Sequence, residues 1–217
     1  MLILDQHLAG KLLLLQKKTK VNAKMDNFEN PQTDQSVRRL RATVVLVGMM
    51  GSGKTAIGRA MALKLGVAYV DSDAEIEAAA NATIGEIFAR SGEPFFRNRE
   101  AEVIERLLQL APCVLSTGGG AFLEERNRTL IFKHGVSVWL DANIDLLWER
   151  VRHKDTRPLL RTNDPRKTLR EIFEDRTPIY QMADLRVEAK PEFSIDYMTD
   201  EVLRILAIRA DVMEPIT

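Results

Sequence analysis

A single cysteine, Cys113, among 217 residues excludes an intrachain disulfide and any zinc site built from several thiolates. Histidine is nearly as scarce. His7, His134 and His153 are the three in the chain, and none pairs with a serine or cysteine nucleophile in a readable pattern. Charge of one sign is not in excess: Lys and Arg number 31, Asp and Glu number 31. A protein whose main task is gripping nucleic-acid phosphates usually carries a basic surplus, so that class is disfavoured. Long apolar runs are missing too. No stretch reaches the roughly 18 residues that cross a bilayer. What is left is a chain expected to be soluble and cytoplasmic, a monomer acting on small molecules, with no nucleic-acid or membrane partner.

The chain divides by composition. Residues 1–41 hold eight basic against four acidic side chains, and 25–36 are polar, contain Pro31 and lack an apolar period. This reads as a disordered basic extension. It is either dispensable, or the product of an upstream start codon with Met25 as the true start, or an arm for targeting or interaction. The run Leu12–Leu15 is too short for a secretory apolar region, and Ser/Arg enrichment typical of transit peptides is absent.

From residue 42 onward, short β-branched runs alternate with longer amphipathic stretches. Strands are expected at Thr43–Val47, Val67–Val70, Cys113–Ser116, Val136–Leu140 and Leu185–Val187. They are nearly continuous apolar runs, the pattern of strands covered on both faces. Helices are expected near 54–65, 73–90 with a break at Asn81–Thr83, 94–110, 123–133, 143–153, 166–182 and 195–209. Such alternation implies an α/β fold of three layers, α/β/α, around a five-stranded parallel sheet.

The strongest motif is Gly48-Met49-Met50-Gly51-Ser52-Gly53-Lys54-Thr55, which matches G-x-x-x-x-G-K-[ST] between the first strand and the first helix. Gly48, Gly51 and Gly53 permit backbone that a Cβ would block. Consecutive N–H groups then form an anion nest at a helix N-terminus. Lys54 supplies a point charge for β- and γ-phosphates, and Thr55 a hydroxyl for Mg²⁺. The chain is therefore read as a nucleotide binder. No Asn-Lys-x-Asp signature for guanine is present, and a small kinase suits the length.

Three further clusters fall at strand ends or beside them. Asp71 and Asp73 follow the second strand. One carboxylate can serve the Mg²⁺ region while the other orients an acceptor hydroxyl and takes its proton late. Alternatively, Asp73 caps the helix that follows. Arg97 and Glu100 share a helical face: Arg97 can grip a substrate carboxylate with two donors and Glu100 can orient it, unless the two form a solvated surface pair. Gly118, Gly119 and Gly120 follow the third strand and can let a ligand lie on bare backbone. They could equally be a flexible turn.

Taken together with Arg157-Pro158-Leu159-Leu160 and Arg176-Thr177-Pro178-Ile179-Tyr180, these motifs resemble the shikimate kinase family in order and spacing, over about residues 42–209. The resemblance implies a P-loop kinase fold with a mobile lid at about 153–165. It implies transfer of the γ-phosphoryl of ATP to the 3-hydroxyl of shikimate, with Mg²⁺ as cofactor, in aromatic amino-acid biosynthesis. It assigns Lys54, Asp73 and Arg157 to catalysis, and Gly48, Gly51, Ser52, Gly53, Lys54, Thr55, Arg152 and Arg157 to ATP. Asp73, Arg97, Glu100, Gly118, Gly119, Gly120 and Arg176 fall to shikimate, and Thr55 with Asp71 to the metal. A gluconate kinase is the alternative, and the Asp-x-Asp, Phe-Arg and triple-glycine set fits it poorly.

Overall fold

The computed structural model describes residues 39–153 and 158–214. The lid arginine Arg157 and most of the N-terminal extension lie outside the described residues. Five strands form one sheet: β1 (Thr43–Val47), β2 (Tyr69–Asp71), β3 (Val114–Ser116), β4 (Gly135–Ala142) and β5 (Leu185–Ala189). All pairings are parallel and the order is β2-β3-β1-β4-β5. β1 is central because four of its five residues are apolar; all five, Thr43 included, are buried. Its neighbours are fixed in register by Val45 opposite both Leu115 and Ser137. The connections run to opposite sides of β1, to β3 and β2 on one side and to β4 and β5 on the other, so a crevice opens beyond its carboxyl end, where ligands bind in such sheets.

Helices cover the sheet: α1 (Lys54–Leu65), α2 (Ser72–Ala80), α3 (Ile84–Leu108), α4 (Glu125–His134), α5 (Ile144–Val151), α6 (Pro165–Tyr180) and α7 (Ile195–Leu206). Local chemistry sets their limits. α1 ends where Gly66 takes a left-handed conformation and its N–H reaches the Ala62 and Leu63 carbonyls. α2 ends at Asn81, φ 46°, and α3 starts with a capping box in which Thr83 Oγ1 accepts from Glu86 N while Glu86 Oε2 accepts from Thr83 N. The break expected at Asn81–Thr83 is therefore real. Gly92, at φ 76°, then kinks α3 just ahead of Pro94.

One boundary differs from expectation. Leu40, assigned by composition to the extension, is 4% exposed and bridges Met213 in antiparallel fashion. Arg41 N donates to Val212 O and Glu214 N to Arg39 O. The folded unit therefore includes residues 39–41. Composition missed this because a three-residue pairing carries no periodicity.

Candidate active site

The phosphate loop leaves β1 at Gly48, whose φ of 134° is followed by 85° at Gly51 and 104° at Gly53. A Cβ at Gly48 would stand 2.9 Å from the Leu140 carbonyl on the adjacent strand, so glycine is required there twice over. Lys54 Nζ donates to the carbonyls of Gly48 and Met49 at 2.8 and 3.0 Å, which closes the loop on itself. A cavity of about 450 Å³ opens above it. Gly51, Ser52, Gly53, Lys54, Thr55, Asp71, Asp73, Gly118 and Gly119 line one side; Phe193, Ile195 and Met198 line another.

The two aspartates at the end of β2 have unlike surroundings. Asp71 caps α2: its Oδ1 accepts from Asp73 N at 3.1 Å, and its Oδ2 accepts from Tyr69 Oη at 3.1 Å. The cap expected of Asp73 is thus supplied by Asp71, which leaves the Asp73 carboxylate to face the cavity. Burial pushes Asp73 up to about 6, the Asp71 charge adds to this, and Lys54 and Arg97 pull against it.

Each glycine of the triplet faces one functional side chain, and at Gly118 and Gly120 that side chain occupies the space a Cβ would fill. A Cβ at Gly118 would stand 2.6 Å from Asp73 Oδ1, and one at Gly120 would stand 2.6 Å from Arg97 Nη2. At Gly119 the nearest atom is Arg176 Nη1, at 3.6 Å. The turn is therefore no slack connection. It brings together three groups from α2, α3 and α6, and a larger residue at Gly118 or Gly120 would displace Asp73 or Arg97.

Arg97 is not a solvated surface partner. Its Nη1 donates to Glu100 Oε2 at 2.7 Å, and Glu100 is 1% exposed. Nε and Nη2 reach Glu93 Oε1 at 3.3 and 3.1 Å. Glu100 is pushed up to about 7 by burial, against the pull of Arg97, with Asp73 and Glu124 adding to the rise. Burial works to lower Arg97, but Glu100 and Glu93 outweigh it and hold the guanidinium charged.

The Asp71 and Thr55 donor set suits Mg²⁺. One carboxylate and one hydroxyl on an open cleft match an ion that keeps several waters and binds substrate phosphates. Among the described residues no group of three or more His, Cys, Asp or Glu side chains could form a dedicated metal cage.

The structure departs from the sequence assignments at the nucleotide side. Arg152 is paired with Glu149 at 2.9 Å on the outer surface. Arg150 instead reaches the phosphate loop, with Nη1 at 3.2 Å from Gly51 O and 3.4 Å from Ser52 O, and it lines the cavity. Two residues along a helix rotate the side chain by about 200°, so the phase of α5 decides between them. Two tyrosines were also missed. Tyr69 holds Asp71, and Tyr180 Oη donates to Gly119 O beside Arg176 Nη1. Tyr69 stands two residues before Asp71 on one face of a strand, a spacing that could have flagged it. The partner of Tyr180 is a backbone carbonyl, which leaves no sequence signal.

Residues 50–207 match the family model described as shikimate kinase. A shikimate kinase from Ruegeria pomeroyi is 60% identical over 192 residues, covering 88% of this chain and 98% of that protein. One from Cereibacter sphaeroides is 57% identical over 196 residues, covering 90% and 98%. Among solved structures, shikimate kinase from Acinetobacter baumannii in complex with shikimate superposes with a TM-score of 0.72 at 36% identity, covering 77% of this chain and 94% of that one. With a cleft that joins a phosphate loop to Asp73 and to a glycine turn flanked by Arg97 and Arg176, and with likeness of this extent, the chain belongs to the shikimate kinase family.

Proposed function

We propose that this domain transfers the γ-phosphoryl group of ATP to the 3-hydroxyl of shikimate, yielding shikimate 3-phosphate and ADP. The observation that carries the reading is the convergence of Asp73, Arg97 and Arg176 on consecutive glycines at the edge of the phosphate-loop cavity. An acceptor with a carboxylate at one end and hydroxyls at the other matches that charge layout.

Arg97 and Arg176 hold the carboxylate of the acceptor, and Glu93 and Glu100 keep Arg97 aimed. Asp73 orients the acceptor hydroxyl and takes its proton as the bond to phosphorus forms. Its partial burial keeps it basic enough for that task near neutral pH. The phosphate loop and Lys54 cradle the nucleotide phosphates, Ser52 shapes that loop by donating its N–H to Met49 O, and Arg150 flanks the nucleotide. Most of the rate gain then comes from fixing two anions in line. Thr55 and Asp71 would hold Mg²⁺, which when bound neutralises charge on the β- and γ-phosphates. Arg157 is assigned to the transferring phosphoryl group by family likeness alone. The enzyme is read as a cytoplasmic monomer; none of the helices among the described residues is long and apolar enough to cross a membrane.

A coupled ADP-release assay with shikimate, gluconate and quinate tests the proposal. Turnover is expected with shikimate and at most a trace with gluconate. Preferred turnover of gluconate would replace the reading with the sugar-acid kinase alternative.

A further inference from the structure

The Gly119 carbonyl accepts two hydrogen bonds, from Tyr180 Oη at 2.5 Å and from Arg176 Nη1 at 3.3 Å. Both donors belong to the last turns of α6, four residues apart on one face. They differ in freedom. Tyr180 is 1% exposed, and its ring stacks on Trp139 with 6.3 Å between centroids. Trp139 in turn puts Cδ1 3.2 Å from where a Cβ of Gly48 would be. The phenol is therefore wedged between the glycine triplet and the phosphate loop, with no room to rotate away. Arg176 is a long side chain on a flexible stem, only partly buried.

Three glycines in succession are the backbone least able to hold its own conformation. The Gly119 carbonyl and the Gly120 N–H are two ends of one planar peptide unit, so whatever orients one orients the other. Gly120 is the residue over which the Arg97 guanidinium lies. The same carbonyl is the anchor of Arg176.

We propose that Tyr180 is a positioning residue for acceptor binding: its hydroxyl fixes the Gly119–Gly120 peptide plane, and through it the aim of Arg176 and the floor beneath Arg97. The proposal rests on the reading that Arg97 and Arg176 hold the acceptor carboxylate. Tyr180 touches neither reacting atom. It acts by leaving the glycine shelf one orientation instead of several, and by keeping that carbonyl satisfied if Arg176 turns toward the acceptor.

Tyr180→Phe in the full chain is the test. Phenylalanine fills the same space, and Arg176 remains as a donor to the carbonyl, so folding is expected to survive. Loss of one hydrogen bond at a buried carbonyl corresponds to roughly 5- to 100-fold in an equilibrium constant. KM for shikimate is expected to rise within that range while KM for ATP stays within about twofold. With a shikimate analogue whose carboxylate is reduced to an alcohol, Tyr180→Phe is expected to cost almost nothing further, since no carboxylate remains to be aimed at. A merely structural tyrosine would raise both substrates' KM, or penalise shikimate and the alcohol alike, and either result overturns the proposal. Arg176→Ala run in parallel separates the two layers. If it leaves the shikimate KM unchanged, the carboxylate reading fails; if it raises that KM and Tyr180→Phe does not, only the positioning role fails. Should Tyr180→Phe be recovered unfolded, p-aminophenylalanine at position 180 keeps the shape with a weaker donor. A rise in shikimate KM that spares the alcohol analogue is then expected, and an unchanged KM overturns the proposal.

Discussion

Asp73 and Gly118 stand so close that a Cβ on the glycine would lie 2.6 Å from Oδ1 of the carboxylate and 3.1 Å from Oδ2. No ordinary van der Waals contact is that short, so Gly118→Ala must move the aspartate or the shelf. Displacing a catalytic group by about 1 Å can cost on the order of 100-fold. Gly118→Ala is expected to lower kcat by about 10- to 100-fold while KM for ATP hardly changes. Steady-state kinetics with ATP and shikimate varied in turn would check this, and a wild-type kcat would show that Asp73 need not sit where it does.

The raised pKa of Asp73 gives two pH effects of opposite sense. As a base it must be ionised, so kcat/KM for shikimate is expected to fall on acidification with an apparent pKa near 6, shared with the neighbouring Glu100. Stability runs the other way. A folded-state value of about 6, above the ordinary 3.8, means the native protein binds the proton more tightly. The resulting stabilisation is complete below about pH 4 and is lost as pH rises through 6. Asp73→Asn removes that loss. At pH 7.5 the variant is expected to be more stable, by on the order of 3 kcal/mol, yet about 10²–10⁴-fold slower. Urea denaturation at pH 4.5 and 7.5 measures the first; a Tm no higher than wild type at pH 7.5 would contradict it.

Arg97 bears the sharpest claim about the acceptor. Arg97→Ala leaves buried Glu100 without its partner and is expected to lower kcat/KM for shikimate by roughly 30- to 5000-fold, the range for cutting a buried charge pair. Arg97→Lys is not expected to rescue it, because a point charge cannot meet Glu93, Glu100 and a carboxylate at once. If Arg97→Ala slows the alcohol analogue as much as shikimate, Arg97 does not hold the carboxylate.

Arg150 and Arg152 separate on the nucleotide side. Arg150→Ala is expected to raise KM for ATP by about tenfold, with shikimate unaffected, since a partly buried charge-assisted contact is worth about 1.5 kcal/mol. Arg152→Ala is expected to change neither constant by more than about twofold, as an exposed i,i+3 pair contributes little. The reverse pattern would restore the sequence-based assignment.

The extension is expected to be dispensable. A chain starting at residue 37 keeps Arg39–Arg41 and their pairing with 212–214. Its kcat/KM and Tm should match the full chain, and a tenfold drop would assign the extension a role.

Much of this architecture was legible because it is written in local chemistry. α1 is bounded by the phosphate loop and by Gly66, and its predicted limits hold to the residue. The buried strands are marked by apolar runs, although β4 extends through Asp141 and Ala142 because β5 pairs with it there. What stayed hidden is non-local. The order β2-β3-β1-β4-β5 depends on which apolar faces meet. The choice between Arg150 and Arg152 depends on helical phase. Tyr180 serves a backbone atom, and backbone atoms are the same in every sequence.

The seam between residues 39–41 and 212–214 places both ends of the catalytic unit side by side. That seam lies just before Thr43, where β1 begins, whereas the cavity lies beyond Val47, where it ends. Five residues of strand, about 16 Å, separate them. Cargo fused at residue 39 would depart from the floor of the molecule, away from the mouth through which ATP and acceptor enter. The domain could thus be tethered or immobilised at this seam without loss of access, and a short bridge from 214 to 39 would turn it into a nearly closed ring.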